Sequence, residues 1–386
     1  MIKTLLAHTH ELDEVEDAVA EILEQLDLDN KLLKNSVGIL SCYAEFIDTG
    51  VVESLCAALP FDVVGVTSLA SSIGADAIGV EILTLCVLTS DDVAFTTVLT
   101  ESLEKDQETP IQDAWNKASA ATPQPPALLL TYAPMLNHVG GEKLVVQINE
   151  KSGGVPLFGT MFCAHTYDFK DAYVIHNGKS YKDRLTLTLV SGPVEPEFFF
   201  ISIEGGGALT QKAVITASSG NILQSVNGIP AVDYLASLGL TAESGLQGSV
   251  AIPFLVDYGD GTRPVCRGLF MLTEEGYAIC GGDVPQGSYL STSNLDYAEV
   301  MRTAQEVLDS VFASGKKDAL LIVSCQSRSL VLGMDALAEA QYLHQKLDGH
   351  MPCHLMYSGG EICPSPTREG ELKNRFHNFS LVACAL

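Results

Sequence analysis

Apolar residues fall along this chain in two alternating periods. Strand-length apolar runs, such as Ser36–Ser41, Phe61–Val66 and Ile82–Leu88, are separated by a stretch with helical spacing at Val51–Leu59. Run, helix, Pro60, second run and later run form an ordered set, and the order returns twice. The second set reads Ala127–Tyr132, a helix over Glu142–Glu150, Pro156, Leu157–Phe162 and Leu185–Val190. The third reads Ala319–Ser324, a helix from about Met334 to Leu347, Pro352, Cys353–Tyr357 and Phe379–Ala385. This pattern predicts an α/β protein of repeated strand-helix-strand units in layered mixed sheets.

Two segments break the pattern. Residues 101–126 contain Thr109-Pro110 and Pro123-Gln124-Pro125-Pro126 and read as a connector. Dense turn signals, among them Gly205-Gly206-Gly207, Asn227-Gly228, Gly259-Asp260-Gly261 and Gly281-Gly282, make residues 206–300 a more β-rich segment with one helix at Ala231–Leu238. A chain of 386 residues exceeds the usual single core. Two or three packed domains are therefore expected, with the Gly205-Gly206-Gly207 turn separating residues 1–205 from 206–386.

Charge narrows the functional classes. The net charge of −26, from 48 acidic and 22 basic side chains, disfavours nucleic acid and anionic membrane as partners. No apolar stretch approaches the roughly 18 to 20 residues of a membrane span, so a cytoplasmic protein without direct membrane insertion is expected. The ten cysteines lie mostly inside apolar runs without Cys-x-x-Cys spacing, which predicts reduced thiols, no metal and no cofactor. Gly178-Lys179-Ser180 lacks the glycine five positions earlier that a phosphate loop needs, where Tyr173 stands, and is read as a turn. Asp257, Asp260 and Gly261 lack the further carboxylates of a calcium loop and are read as a hairpin turn.

Towards the C-terminus the chain reads Leu321-Ile322-Val323-Ser324-Cys325-Gln326-Ser327-Arg328, Leu332-Gly333, Tyr357-Ser358-Gly359-Gly360-Glu361-Ile362 and Phe376-His377-Asn378. Upstream stand Val226-Asn227-Gly228-Ile229-Pro230 and Val284-Pro285-Gln286-Gly287. These segments resemble the FIST C-terminal domain. Val63-Val64-Gly65-Val66-Thr67-Ser68 and His176-Asn177-Gly178-Lys179-Ser180-Tyr181 resemble the FIST N-terminal domain, with Ala70 in place of the glycine that usually follows the Thr turn. The resemblance implies intracellular sensing of small ligands, amino acids among them, with signalling through kinase, cyclase or chemoreceptor modules. No such module is recognised in this sequence.

The turn Ser358-Gly359-Gly360-Glu361 follows a strand, where open α/β sheets leave a ligand crevice. There, Gly359 and Gly360 would let backbone amides approach a ligand, Glu361 would accept from an ammonium group, and Arg328 would take a carboxylate bidentately unless it pairs with Glu361. His377, Asn378 and Cys325 would line the same wall, and the matching turns of the other sets offer Thr67, Ser68, His165 and Thr166. Two alternatives stand beside ligand sensing. One is a thiol-dependent enzyme with Cys325 as nucleophile and His377 or His354 as base; the other is a ligand-free scaffold.

Overall fold

The computed structural model describes residues 1–136, 139–164, 170–201, 212–240, 253–293 and 295–386. His165, Thr166 and the Gly205-Gly206-Gly207 turn lie outside them.

The first unit runs β1 (Lys3–Thr9), α1 (Val15–Leu26), α2 (Leu28–Lys31), β2 (Asn35–Cys42), α3 (Glu45–Asp48), α4 (Val51–Ala58), β3 (Asp62–Thr67), the hairpin β4–β5 (Ser71–Gly74, Ala77–Gly79) and β6 (Leu83–Ser90). The second runs β7 (Ala94–Leu99), α5 (Glu108–Ala121), β8 (Pro126–Ala133), α6 (Gly141–Ser152), β9 (Leu157–Met161), the hairpin β10–β11 (Val174–His176, Lys179–Tyr181) and β12 (Thr186–Ser191). The third opens with β13 (Glu197–Ile201) and is interrupted by a β-rich lobe. The lobe carries β14 (Ala213–Ser219), β15 (Ile222–Val226), β16 (Ile229–Pro230), α7 (Ala231–Ser237), β17 (Phe254–Asp257), β18 (Val265–Arg267), β19 (Leu269–Leu272), β20 (Ala278–Cys280) and β21 (Tyr289–Thr292). The third unit then resumes with α8 (Tyr297–Ser314), β22 (Leu320–Cys325), α9 (Gln326–Leu332), α10 (Ala338–Leu347), β23 (Cys353–Ser358), the hairpin β24–β25 (Gly360–Pro366, Leu372–His377) and β26 (Leu381–Ala385).

The ordered sets expected from the sequence are therefore the same elements three times over, and their sheets repeat as well. Each sheet places its opening strand antiparallel to its last strand, then the two strands flanking a helix, which are parallel to each other. Its remaining edge comes from a different unit. Hairpin β4–β5 extends the third sheet beside β23, β10–β11 the first beside β3, and β24–β25 the second beside β9. The three hairpins are thus exchanged in a ring.

Alternation along the strands explains the layers. On β2, Val37 and Ile39 enter a central core shared with Leu128, Leu130, Leu321 and Val323 of the other two sheets, while Leu40 and Cys42 enter an outer core under α1 and α4. The second sheet is covered by α5 and α6, and the third by α8 and α10. Helices lie outside, and three sheets face one apolar centre. Close packing fixes glycines: a Cβ on Gly65 would lie 1.9 Å from the Leu40 carbonyl oxygen.

Three local expectations change. The connector contains α5, the counterpart of α1, which buries Ile111, Ala114 and Ala118; its Pro110 sits in the first turn, where no intrahelical N–H is required. The helix expected from about Met334 begins only at Ala338, because Gly333–Asp335 form a 3-10 turn after Gly333 leaves the helical region at φ +62° and ψ −117°. Ser358-Gly359-Gly360-Glu361 is no turn: the chain leaves β23 of one sheet and enters β24 of the next with a single residue between them. The Gly178-Lys179-Ser180 segment is a hairpin tip, with Asn177 and Gly178 both at positive φ. No helix among the described residues is long and apolar enough to cross a membrane.

Candidate functional site

The carboxyl ends of β3, β9 and β23 meet, because each hairpin exchange carries one sheet into the next. Thr67 Oγ1 donates to the Cys163 carbonyl at 3.0 Å, and the Cys163 amide donates to the Thr67 carbonyl at 3.2 Å. Ser68 Oγ donates to the Tyr357 carbonyl at 2.8 Å, and the Cys163 thiol donates to the same oxygen at 3.1 Å. Thr160 Oγ1 donates to Ser358 Oγ at 2.5 Å. Every side chain in this ring is buried.

Beside the ring stands Glu361, fully buried on β24 and paired in register with Thr160 of β9 and His377 of β25. The Ser380 amide and hydroxyl donate to its Oε2 at 3.2 and 2.7 Å. Oε1 has no hydrogen-bond partner of ordinary geometry. Burial pushes the Glu361 carboxyl up to about 8, against the opposing pull of Ser380, the Cys325 thiol and the more distant Arg328. A carboxyl held this way is largely neutral at pH 7.

The structure brings Thr67, Ser68, Cys325, Ser358, Gly359, Gly360 and Glu361 to this junction, with His377 across from Glu361 and Asn378 next in the chain. It gives several of them different duties. The amides of Gly359 and Gly360 are committed to the Met161 carbonyl at 3.2 Å and Ser358 Oγ at 2.8 Å. Both positions exclude a side chain, since a Cβ on Gly359 would lie 2.5 Å from the Phe162 carbonyl oxygen and one on Gly360 would lie 2.3 Å from the Phe376 ring. Close packing accounts for the two glycines.

Arg328 is corrected more sharply. It lies on α9 with no exposure, and its carboxylate partner is Glu339 of α10. Nε donates to Glu339 Oε1 at 3.0 Å, while Nη2 donates to that oxygen, to Thr303 Oγ1 at 2.8 Å and to the Val300 carbonyl at 3.0 Å. Nη1 faces the Phe379 carbonyl at 3.5 Å. The fork expected to take a ligand carboxylate or Glu361 is occupied within the helical layer.

For thiol chemistry the geometry is unfavourable. Burial, with the Glu361 charge beside it, pushes the Cys325 thiol well up. His354 Nε2 pairs with Thr84 Oγ1 at 2.9 Å, and His377 Nε2 with the Cys363 carbonyl at 3.0 Å, so neither ring is bonded to Cys325. All ten cysteines are free, and the described residues contain no cluster of three or more metal-ligating side chains.

Thr160, Cys163, Gln326 and Ser380 were not singled out from the sequence. Superimposing the three sets would not have pointed to Cys163, because Phe162 is the residue that follows the second unit's strand as Ser68 follows the first's. Nothing in residue spacing marks Ser380 as the partner of Glu361.

The FIST N domain model matches residues 36–229 and the FIST C domain model residues 231–364. No curated protein matches the chain. A crystal structure titled as a "cyanuic acid hydrolase from A. caulinodans" aligns over 100% of this chain and 99% of its own at 10% identity, with a TM-score of 0.37, too low to support an argument about fold or function. With the two domain models together spanning most of its length, the chain belongs to the FIST family.

Proposed function

We propose that this protein is a ligand-binding sensor that takes a small metabolite at the junction of its three sheets and passes the signal to a separate partner such as a kinase, cyclase or chemoreceptor. FIST domains are sensory domains. The observation that carries the reading is Glu361: a wholly buried carboxyl with one oxygen satisfied and the other without a partner. Leaving a buried polar atom unpaired costs about 1–3 kcal/mol, so such an atom calls for a structural or functional explanation. Binding without turnover fits the high thiol pKa of Cys325 and the separate commitments of His354 and His377.

Native mass spectrometry of protein purified from cells, followed by calorimetry with the released compound, tests the reading. A stoichiometric small molecule whose affinity falls on Thr67→Val or Glu361→Gln supports it. A ligand indifferent to both substitutions would place binding elsewhere.

A further inference from the structure

Donors and acceptors around Glu361 are not in balance. Most donors are committed: the amides of Gly359, Gly360, Ser380 and Cys325, the hydroxyls of Thr67, Ser68 and Thr160, and the Arg328 fork all have acceptors within the protein, while the Ser358 hydroxyl accepts from Thr160 and Gly360. Acceptors are left over. In the ionised form Glu361 Oε1 has no hydrogen-bond partner of ordinary geometry, and neither has His377 Nδ1. The His377 tautomer follows from its other nitrogen: Nε2 faces the Cys363 carbonyl, which can only accept, so Nε2 carries the proton and Nδ1 is a bare lone pair. Burial lowers the His377 pKa to about 3, which keeps the ring neutral. Glu361 and His377 are direct cross-strand partners on one face of the sheet.

The side-chain oxygens of Gln326 and Asn378 are also unpartnered, and these residues keep 8% and 5% exposure. An anionic ligand entering here would find the backbone amides and the Arg328 fork already committed and would meet a carboxyl. A ligand bearing N–H donors would find the open oxygen. We infer that the ligand presents an ammonium, amidinium or guanidinium group to Glu361 and carries no carboxylate beside that group. The inference rests on the binding role proposed above and narrows its ligand class from amino acids to their decarboxylated, amine-type relatives.

Proton exchange distinguishes this from its converse, a neutral Glu361 donating to a ligand carbonyl. A cation draws the carboxyl into its ionised form and releases a proton, whereas a carbonyl ligand retains it. The groups that modulate this titration are Cys325, Cys163, Arg328 and His377, the last neutral in this range.

The test is calorimetry on the full chain at pH 7.5, in phosphate and in Tris, with agmatine and 1,4-diaminobutane set against arginine, ornithine and butyrate. The expected result is that agmatine or diaminobutane binds more tightly than its carboxylated counterpart, releases up to about one proton per ligand, and weakens at least about 30-fold on Glu361→Gln. Tighter binding of arginine, ornithine or butyrate that still depends on Glu361 would overturn the ligand class and leave the site standing. Absence of binding by all five probes, together with an empty protein in native mass spectrometry, would overturn the site itself. Should the glutamine variant fail to fold, wild-type proton release decides: binding of the amines without release overturns the inference.

Discussion

The Ser380 hydroxyl donates to Glu361 Oε2 at 2.7 Å while its own backbone amide donates to the same oxygen, so one residue saturates half of a buried carboxyl. Both bonds favour the charged form and act against burial. Ser380→Ala should therefore raise the Glu361 midpoint above about 8, by about one unit for a lost hydrogen bond to a charged group. Infrared difference spectroscopy of the carboxyl stretch would measure it, and a falling midpoint would contradict the assignment.

Stability should peak between the titration ranges of two kinds of buried group. Burial lowers His354 and His377 to about 3 and His344 to about 4, from the ordinary 6.5. Between 6.5 and those values the unfolded chain binds more protons, so stability falls with acid, by about 1.4 kcal/mol per pH unit for each histidine. Glu361 acts oppositely. Raised from 4.5 to about 8, its folded form binds more protons across that window, and its contribution is lost as pH rises through 8. Urea unfolding across pH 4.5–9 should show a maximum near 6.5, and Glu361→Gln should flatten the alkaline side.

Arg328→Met should destabilise the fold by about 3–5 kcal/mol, because Glu339 would remain buried without its cation. Arg328→Lys should cost less but still be measurable, since an ammonium cannot reproduce the bonds of Nε and Nη2 together. Chemical denaturation gives both values. A lysine variant that keeps full stability but binds arginine or butyrate more weakly than the wild type would return Arg328 to the ligand site.

Cys56 should be labelled first by a thiol reagent. It is the one cysteine that is not fully buried, and burial raises its pKa to about 11, while burial with the nearby Glu361 pushes Cys325 well above the ordinary thiol value. Mass mapping after limited reaction with iodoacetamide at pH 8 should show Cys56 modified and the other nine protected. Preferential labelling of Cys325 would revive the enzyme reading.

The three ordered sets were legible because each unit's central strands are long apolar runs with a helical stretch between them, and periodicity reports burial directly. Hairpin exchange was not. Strands β4 and β5 span four and three residues, and Ser71 and Ser72 pair with Met356 and Leu355, far along the chain. Gly359-Gly360 misled in another way: paired glycines signal a turn when read locally, but here they make room for the Phe376 ring and the Phe162 carbonyl. Glu339 was invisible as the partner of Arg328 because the helix break at Gly333 removes any fixed periodic relation between them.

The ring of exchanged hairpins also bears on how the protein can be divided. A cut between the two domain matches, at residue 230, would leave β9 without β24 on one fragment and β23 without β4 on the other. Each half would present an unpaired strand edge, a template for aggregation when alone and for its own complement when the halves meet. The gene is therefore suited to a split-reporter format, in which two separately expressed pieces regain a fold only by restoring each other's sheets.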